Sequence, residues 1–534
     1  MYEELIRLHR EEGLSFKNVI TFNLDEYFPM KTDNIQSYYF FMQEYLFKHI
    51  DIAPENINIP NGDCTVEESL ILCSQYEEKI RNYGGLDFQL LGIGRTAHIG
   101  FNEPGSHQNS TTRMVTLDHL TRSDAASSFL GMDNVPKKAI TMGVATVLEA
   151  RRIVLLAWGQ NKAEVIYETI EGKVTSKKPA TYLQNHPNVT FVLDVEAASL
   201  LTRINTPWVV DGCEWNSDLI RKAIVWLCKK TGKSILHLTD KDYFEHGMES
   251  LLAIEGTAYD LNIKMFNQLQ HAITGWPGGK PNSDHQQRPE RSTPEKKRVI
   301  IFSPHPDDDV ISMGGTFDRL ITQGHEVHVV YQTSGNIAVS NDEALKFAEI
   351  GLVFDPQNKT YSDIVEFINQ KNSSISDSIP LRNLKAQIRQ KESLGATRFL
   401  GLPDSQVHFL NLPFYETGTI KKSPLSKKDI DLMIAIIESI QPHQIYAAGD
   451  LADPHGTHKV CLDSLFMALA EIKHKPFMDD CWVWLYRGAW HEWDIHEIEM
   501  AVPMSPNQVL RKRTAIFYHQ SQKDGVMFQG DDSR

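Results

Sequence analysis

Cysteine is scarce in this sequence, and its spacing is unlike that of a cysteine-ligated metal site. Six cysteines are scattered over 534 residues, and no two of them form a C-x-x-C pair. This spacing supports neither a disulfide framework nor a cysteine zinc site. We therefore expect a protein of a reducing compartment, the cytoplasm.

The sequence also lacks long apolar runs and an excess of basic charge. No apolar run approaches the roughly 18–20 residues that cross a bilayer, and residues 1–4 do not begin a signal peptide. Lys and Arg number 54 against 69 Asp and Glu, which gives a formal charge of −15. Nucleic acids and anionic membranes reward clustered basic residues, so we expect neither as a partner. Small molecules are the expected partners.

What the sequence does contain is a regular alternation of short β-rich apolar runs with helical patterns. This alternation predicts an α/β fold with two Rossmann-like modules, each a mainly parallel sheet flanked by helices. The length of the chain also favours more than one domain. The predicted strands are residues 19–22, 88–91, 153–158, 190–193, 298–302, 326–331 and 444–448.

Composition divides the chain into four segments. Residues 1–210 form the predicted first module, and residues 211–274 read as a helical connector because apolar residues recur at helical spacing. Residues 275–297 are rich in Pro, Gly and charge, which is typical of a linker. Residues 298–534 form the predicted second module.

In the second module, two polar clusters follow predicted strands, where parallel sheets bind their ligands. His305, Asp307 and Asp308 follow the first strand, and His455 and His458 follow a later one. Alone, the first cluster could be a capped turn and the second a solvated loop. Together they predict a catalytic metal site, because two histidines and one carboxylate leave a fourth position open. Asp307 is placed to serve as a base beside it.

Several motifs of the second module resemble PIG-L/LmbE-type N-acetylglucosaminyl deacetylases. They occur in the family's order: residues 303–309 with Gly314-Gly315, Thr333-Ser334-Gly335, Arg389-x-x-Glu392, residues 399–404, His455-x-x-His458 and residues 518–522. Asp309 is one departure, since a Glu is more usual at that position.

The resemblance implies a role for each residue of the metal cluster. Zn²⁺ would be held by three of them, namely His305, Asp308 and His458. Asp307 would be the general base, and His455 would stabilise the oxyanion or protonate the leaving amine. Arg389 would face the substrate.

In the first module, polar residues again follow predicted strands. Asp25 comes after residues 19–22, and His98 and Glu103 come after residues 88–91. A carboxylate, a histidine and a second carboxylate suit proton transfer in an aldose–ketose isomerisation. Each also has a structural alternative: a helix cap for Asp25, a core histidine for His98 and a solvent-facing Glu103.

The wider pattern of the first module resembles glucosamine-6-phosphate deaminase. The supporting stretches are residues 21–27, 76–80, 92–104, 135–137, 142–144 and 159–162. The resemblance implies that Asp25 abstracts the C2 proton, His98 opens the sugar ring, Glu103 tunes His98 and Lys162 contacts the phosphate. It also implies fructose 6-phosphate and ammonia as products, and a homo-oligomer.

Three departures from the deaminase pattern leave a second hypothesis open. Thr96 stands where many members carry Asp, Ser127 replaces a phosphate-contacting Arg, and the sequence begins after the family's first strand and phosphate loop. We expect a fragment of a longer protein. The first hypothesis is a bifunctional amino-sugar enzyme, and the second makes the first module an inactive sugar-phosphate sensor attached to an active deacetylase. A third is that the metal module is inert.

Overall fold

The computed structural model describes residues 1–126, 129, 134–210, 212–282, 291–370, 376–417, 422–451, 453 and 456–522. Contacts divide the chain into two compact units, residues 1–207 and 208–534. Residues 211–274, the predicted connector, group with the second unit. The finer division into connector, linker and metal module stays a prediction.

The helices and strands of the first unit alternate along the chain. The helices are α1 (Tyr2–Glu12), α2 (Tyr38–Tyr45), α3 (Val66–Asn82), α4 (His119–Ala125), α5 (Val144–Leu148), α6 (Ala163–Glu171) and α7 (Thr202–Asn205). The strands are β1 (Thr21–Phe22), β2 (Asp25–Phe28), β3 (Ile57–Asn58), β4 (Gln89–Leu91), β5 (Arg113–Thr116), β6 (Lys138–Thr141), β7 (Ile153–Ala157) and β8 (Val189–Leu193).

The strands of the first unit form two parallel sheets and one antiparallel sheet. β1 pairs with β3, and β4, β7 and β8 form a parallel sheet in that order. β2, β6 and β5 form an antiparallel ribbon that the sequence pattern did not predict. β7 reads Ile-Val-Leu-Leu-Ala and is buried at four of its five residues, as expected of a strand covered on both faces. Its carboxyl end lies beside that of β4.

The second unit opens with helices and continues with a five-stranded sheet. Its helices are α8 (Ser217–Thr231), α9 (Asp240–Phe244), α10 (Glu249–Glu255), α11 (Ala258–His271), α12 (Asp308–Thr322), α13 (Asn341–Phe354), α14 (Lys359–Gln370), α15 (Ile379–Leu400), α16 (Lys427–Ile440), α17 (Thr457–Ile472) and α18 (Pro506–Ile516). Its strands are β9 (Arg298–Ser303), β10 (Glu326–Tyr331), β11 (Val407–Phe409), β12 (Gln444–Ala448) and β13 (Trp482–Tyr486).

The sheet of the second unit is wholly parallel and is covered on both faces. Its strand order is β11-β10-β9-β12-β13, which places β9 and β12 side by side at the centre. Alternate residues of β9 point to opposite faces. Ile300 and Phe302 pack with α16 and α17, whereas Val299 and Ile301 pack with α12, α15 and α18. The prediction of two modules with mainly parallel sheets flanked by helices is confirmed.

The helical segment that opens the second unit has a core of its own. α8, α9, α10 and α11 bury residues such as Ile224, Tyr243, Leu251 and Leu261 against one another. The longer helices α8 and α11 bury residues at helical spacing, as the sequence predicts. Within the described residues, no helix is long and apolar enough to cross a membrane.

Candidate functional sites

The central strands of the second unit bring the predicted metal ligands together. β9 leads into His305 and Asp308, while β12 leads into the turn before His458, and the two strands are neighbours. Asp308 Oδ2 lies 3.2 Å from His305 Nδ1 and 3.2 Å from His458 Nε2. One donor atom from each of the three residues falls within 4.8 Å of the others. The arrangement has the ligand number of a catalytic metal site.

The second ring nitrogen of His458 is fixed by the backbone. Its Nδ1 lies 3.0 Å from the carbonyl oxygen of Asp450, which orients Nε2 towards Asp308. Nε2 is buried and lies 3.2 Å from Asp308 Oδ2, but it makes no well-aligned hydrogen bond among the described residues. A buried polar atom without a well-aligned hydrogen bond is costly, and a metal ion at this position would satisfy it. The three donors therefore fit a metal ion.

Neighbouring charges and burial shift the pKa values of Asp308 and His458 in opposite directions. Burial alone would raise the pKa of Asp308, but the two histidines outweigh burial and hold that pKa well below its usual range. Burial likewise opposes a charged His458, but the Asp308 carboxylate outweighs it and raises the His458 pKa to about 9. The pocket thus strongly favours a negative carboxylate opposite a positive charge.

Asp307 contacts Arg389 at the edge of the metal cluster. Its Oδ1 lies 3.0 Å from Arg389 Nη2, and the Arg389 side chain is 2% exposed. The guanidinium packs against Gly335, where an added Cβ would lie 3.3 Å from Cζ. The sequence predicted that Arg389 faces the substrate, whereas here it holds the predicted base. Its contact with a substrate stays a prediction.

Asp309 lies behind the metal cluster. Its carboxylate accepts a hydrogen bond from the Tyr331 hydroxyl at 3.0 Å, and its backbone N–H donates to Ser303 Oγ at 3.1 Å. Burial raises the pKa of Asp309 to about 7. Its position behind the ligands agrees with a supporting role, in which a shorter side chain than Glu is tolerated.

His519 is a site residue to which the sequence assigned no role, although it lies in the motif at residues 518–522. It is buried, and both of its ring nitrogens lack a hydrogen-bond partner among the described residues. Burial lowers its pKa to about 4, and the charges of Asp307 and Arg389 act on it. His455, the predicted oxyanion or leaving-group residue, lies outside the described residues, as does Ser127 of the first unit.

In the first unit, Asp25 lies at the start of β2, opposite Thr141 of β6. Its carboxylate lies beside Gly100, which adopts φ +57° and where an added Cβ would lie 3.3 Å from Asp25 Oδ2. Burial, assisted by the charge of Glu26, raises the pKa of Asp25 to about 7. A carboxylate with such a pKa is poised to take up a proton near neutral pH.

Three side-chain oxygen atoms lie near His98 Nδ1, one of which is Thr121 Oγ1 at 3.3 Å. Glu103 Oε2 lies 3.2 Å from Nδ1, and Thr96 Oγ1 lies 2.8 Å from it. Thr96 Oγ1 also donates to Glu103 Oε2 at 3.3 Å, so the three side chains form a closed network. A proton on Nδ1 would be shared with these oxygens, leaving Nε2 to act on a ligand. Thr96, one of the departures from the deaminase pattern, thus contacts His98 directly.

A cavity of about 360 Å³ adjoins His98. Its lining includes Tyr27, Gly94, Thr121 and Asp124. Lys162 follows β7 and its Nζ donates to the carbonyl oxygen of Ile93 at 2.9 Å; Ile93 follows the neighbouring strand β4. The adjacent carboxyl ends of β4 and β7 therefore place Lys162 close to the segment that carries His98.

The two halves of the chain match two different families. The glucosamine-6-phosphate isomerases/6-phosphogluconolactonase family matches residues 1–192, and the PIG-L family, described as GlcNAc-PI de-N-acetylase, matches residues 300–469. A glucosamine-6-phosphate deaminase-like protein of Bacteroides thetaiotaomicron is 50% identical over 545 residues, covering 100% of this chain and 82% of the relative. The chain belongs to this deaminase-like family.

Further relatives match the deaminase-like unit. The glucosamine-6-phosphate deaminase of Halothermothrix orenii is 49% identical over 201 residues, which are 38% of this chain and 83% of that protein. A solved monomeric glucosamine-6-phosphate deaminase is 47% identical and covers 37% of this chain and 82% of its own, with a TM-score of 0.36. Both resemblances seen in the sequence are confirmed. The chain combines a deaminase-family domain with a PIG-L domain, a combination that belongs to amino-sugar metabolism.

Proposed function

We propose that the PIG-L domain is a zinc-dependent deacetylase of an N-acetylglucosamine-type substrate. The observation that supports this proposal is the convergence of donor atoms of His305, Asp308 and His458 within 4.8 Å. Bound Zn²⁺ would lower the pKa of a water molecule and polarise the acetamide carbonyl. The products would be acetate and a free amino sugar.

The protein's own residues supply the proton transfers of this reaction. Asp307 accepts the proton of the attacking water, and Arg389 holds its carboxylate in position at 3.0 Å. His455 stabilises the oxyanion or protonates the leaving amine. The Asp450 carbonyl keeps the proton of His458 on Nδ1, so that Nε2 faces the cluster.

We further propose that the deaminase-like unit converts glucosamine 6-phosphate to fructose 6-phosphate and ammonia. Asp25 removes the proton from C2, for which a pKa of about 7 is suited. His98 opens the sugar ring through Nε2, while Glu103 and Thr96 hold Nδ1. Lys162 contacts the phosphate. The two activities are chemically ordered, because deacetylation produces the free amine that deamination removes.

Separate assays of acetate and ammonia test the two halves of the proposal. Purified protein with zinc is given N-acetylglucosamine derivatives in one assay and glucosamine 6-phosphate in the other. We expect His305→Ala to abolish acetate release and Asp25→Asn to abolish ammonia release. Acetate release that survives His305→Ala would exclude the proposed deacetylase site.

Calorimetry, added to the ammonia assay, distinguishes an active deaminase from a sugar-phosphate sensor. A sensor would bind glucosamine 6-phosphate in calorimetry and release no ammonia, in both the wild type and Asp25→Asn. Absence of zinc in elemental analysis, together with absence of acetate, would instead support an inert metal domain. Exposed His107→Ala, outside both clusters, serves as the matched histidine control.

A further inference from the structure

A short segment after β4 carries three contacts in sequence. The Ile93 carbonyl oxygen accepts a hydrogen bond from Lys162 Nζ, and Gly94 packs so closely against the His98 ring that a side chain at this position would collide with it. Arg95, the next residue, bonds to Asp124. The segment therefore contacts Lys162 and the proposed ring-opening histidine, and it carries a second cation, Arg95.

The Arg95–Asp124 pair has the geometry of an oxyanion site. Arg95 Nε donates to one carboxylate oxygen of Asp124 at 3.0 Å, and its Nη2 contacts the other. Such two-pronged pairing suits phosphate as well as carboxylate, because a guanidinium matches either group with parallel N–H bonds. The Asp124 carboxylate thus shows where an incoming anion could bind Arg95.

The pair is also easily exchanged. The side chains are 47% and 46% exposed, so solvent and salt screen the attraction between them. A phosphate dianion offers more charge and more acceptor oxygens than Asp124 does. Replacement of Asp124 by phosphate therefore costs little and gains a stronger partner for Arg95.

Asp124 also connects this pair to the cavity beside His98. It contributes to the cavity lining together with His98, and its charge and that of Arg95 both act on Lys162. Lys162 Nζ bonds to the carbonyl oxygen of Ile93, two residues before Arg95, so both cations contact or belong to the segment that adjoins the cavity. A sugar phosphate with its ring at His98 would find two cations along the same segment.

We propose that Arg95 binds the phosphate group of a sugar phosphate together with Lys162, and that Asp124 occupies this position when phosphate is absent. This inference rests on the proposed sugar-phosphate function of the deaminase-like unit. It assigns a binding role to Arg95 and a competing role to Asp124. Arg95 should therefore strengthen phosphate binding, whereas Asp124 should weaken it.

Calorimetry on the full chain tests this assignment, with inorganic phosphate and glucosamine 6-phosphate as the two titrants. We expect Arg95→Ala to weaken binding of both by about tenfold or more, as the loss of a charge-assisted hydrogen bond predicts. Asp124→Ala should leave binding unchanged or tighten it. Arg95→Lys should recover part of the affinity.

A purely structural ion pair predicts a different pattern. Both alanine variants would then weaken binding to a similar extent, because each would disturb the same segment. That pattern, unchanged affinity in Arg95→Ala, or absence of phosphate binding by the wild type would overturn the assignment. The exposed pair Arg151–Asp87 provides control variants of the same kind, Arg151→Ala and Asp87→Ala.

Binding is measured without turnover, so the proposed deamination can fail while this inference holds. Asp25→Asn, used as the background for the titrations, removes the proposed base and leaves Arg95, Asp124 and Lys162 in place. Phosphate binding by a wild-type chain that releases no ammonia would support the sensor and keep the Arg95 assignment.

Discussion

Burial of Asp25 links its proposed chemistry to a measurable pH dependence. Its raised pKa of about 7 means that the ionised base becomes available only as the pH rises through that value. We expect kcat/KM for ammonia release to fall tenfold per pH unit below about 7, the slope of a single ionisation. A pH profile between 5 and 9 measures this limb. A flat profile would exclude Asp25 as the titrating base.

The same pKa predicts an effect on stability. A carboxyl whose pKa is higher in the folded than in the unfolded chain stabilises the fold at low pH, and this stabilisation is lost as the pH rises from the ordinary value of 3.8 to about 7. Asp25→Asn, which cannot ionise, should therefore raise Tm more at pH 8 than at pH 4 in calorimetry. Asp87→Asn, which is highly exposed, should show no such trend.

Arg389 is buried and pairs with Asp307, so we expect it to position this base, a role that its motif did not imply. Removing one partner of a buried ion pair leaves an uncompensated charge, and Asp307 would lose its orientation. We expect Arg389→Met to lower kcat for acetate release by about 100-fold or more, with a smaller change in KM, as for a positioning residue. Bound zinc, measured by elemental analysis, should stay near the wild-type level.

The control for Arg389 lies on the same helix. Arg398 of α15 pairs with Asp404 on the surface, where both side chains are at least half exposed. Arg398→Met should leave kcat and KM unchanged. A rise in KM alone in Arg389→Met would instead favour the contact with substrate that the sequence predicts.

At the scale of elements, the turn between β12 and α17 couples the ligand His458 to a neighbouring segment. Asp450 accepts backbone hydrogen bonds from Trp490 and His491 through Oδ2, while its carbonyl oxygen contacts His458 Nδ1. Asp450→Ala would release the turn that carries this carbonyl. We expect zinc affinity to fall 10–100-fold, the usual effect of losing support behind a ligand.

Competition with a chelator of known affinity measures this change. Asp494→Ala is the matched control, because Asp494 is exposed and caps a short helical turn after the same segment. Unchanged zinc affinity in Asp450→Ala would show that the β12–α17 turn holds its shape without this carboxylate.

The elements also show what the sequence could predict. The strands β7, β9, β10 and β12 were expected close to their observed bounds, because continuous apolar runs are typical of strands covered on both faces. The proximity of His305, Asp308 and His458 follows from strands that are neighbours in the sheet. The β2-β6-β5 ribbon was missed, since β2 and β5 contain polar residues and β2 pairs with a strand that lies far away in sequence.

Contacts made by backbone atoms cannot be predicted from the pattern of residue types. The Asp450 carbonyl that orients His458 leaves no trace in the residue types, because every residue carries a carbonyl. The burial of Arg389 was equally hidden, since a charged residue is ordinarily expected at the surface. His519 was visible as part of a motif, but its lack of hydrogen-bond partners requires the fold.

At the scale of the whole chain, the proposed activities depend on different chemistry. The deacetylase proposal requires a metal ion at His305, Asp308 and His458, whereas the proposed deamination relies on side chains, with Asp25 and His98 as the proton-transfer groups. We expect a chelator to abolish acetate release and to leave ammonia release from glucosamine 6-phosphate unchanged. Added zinc should restore acetate release in the wild type and not in His305→Ala. Equal loss of both activities would mean that the deaminase-like unit also depends on the metal, contrary to the proposal.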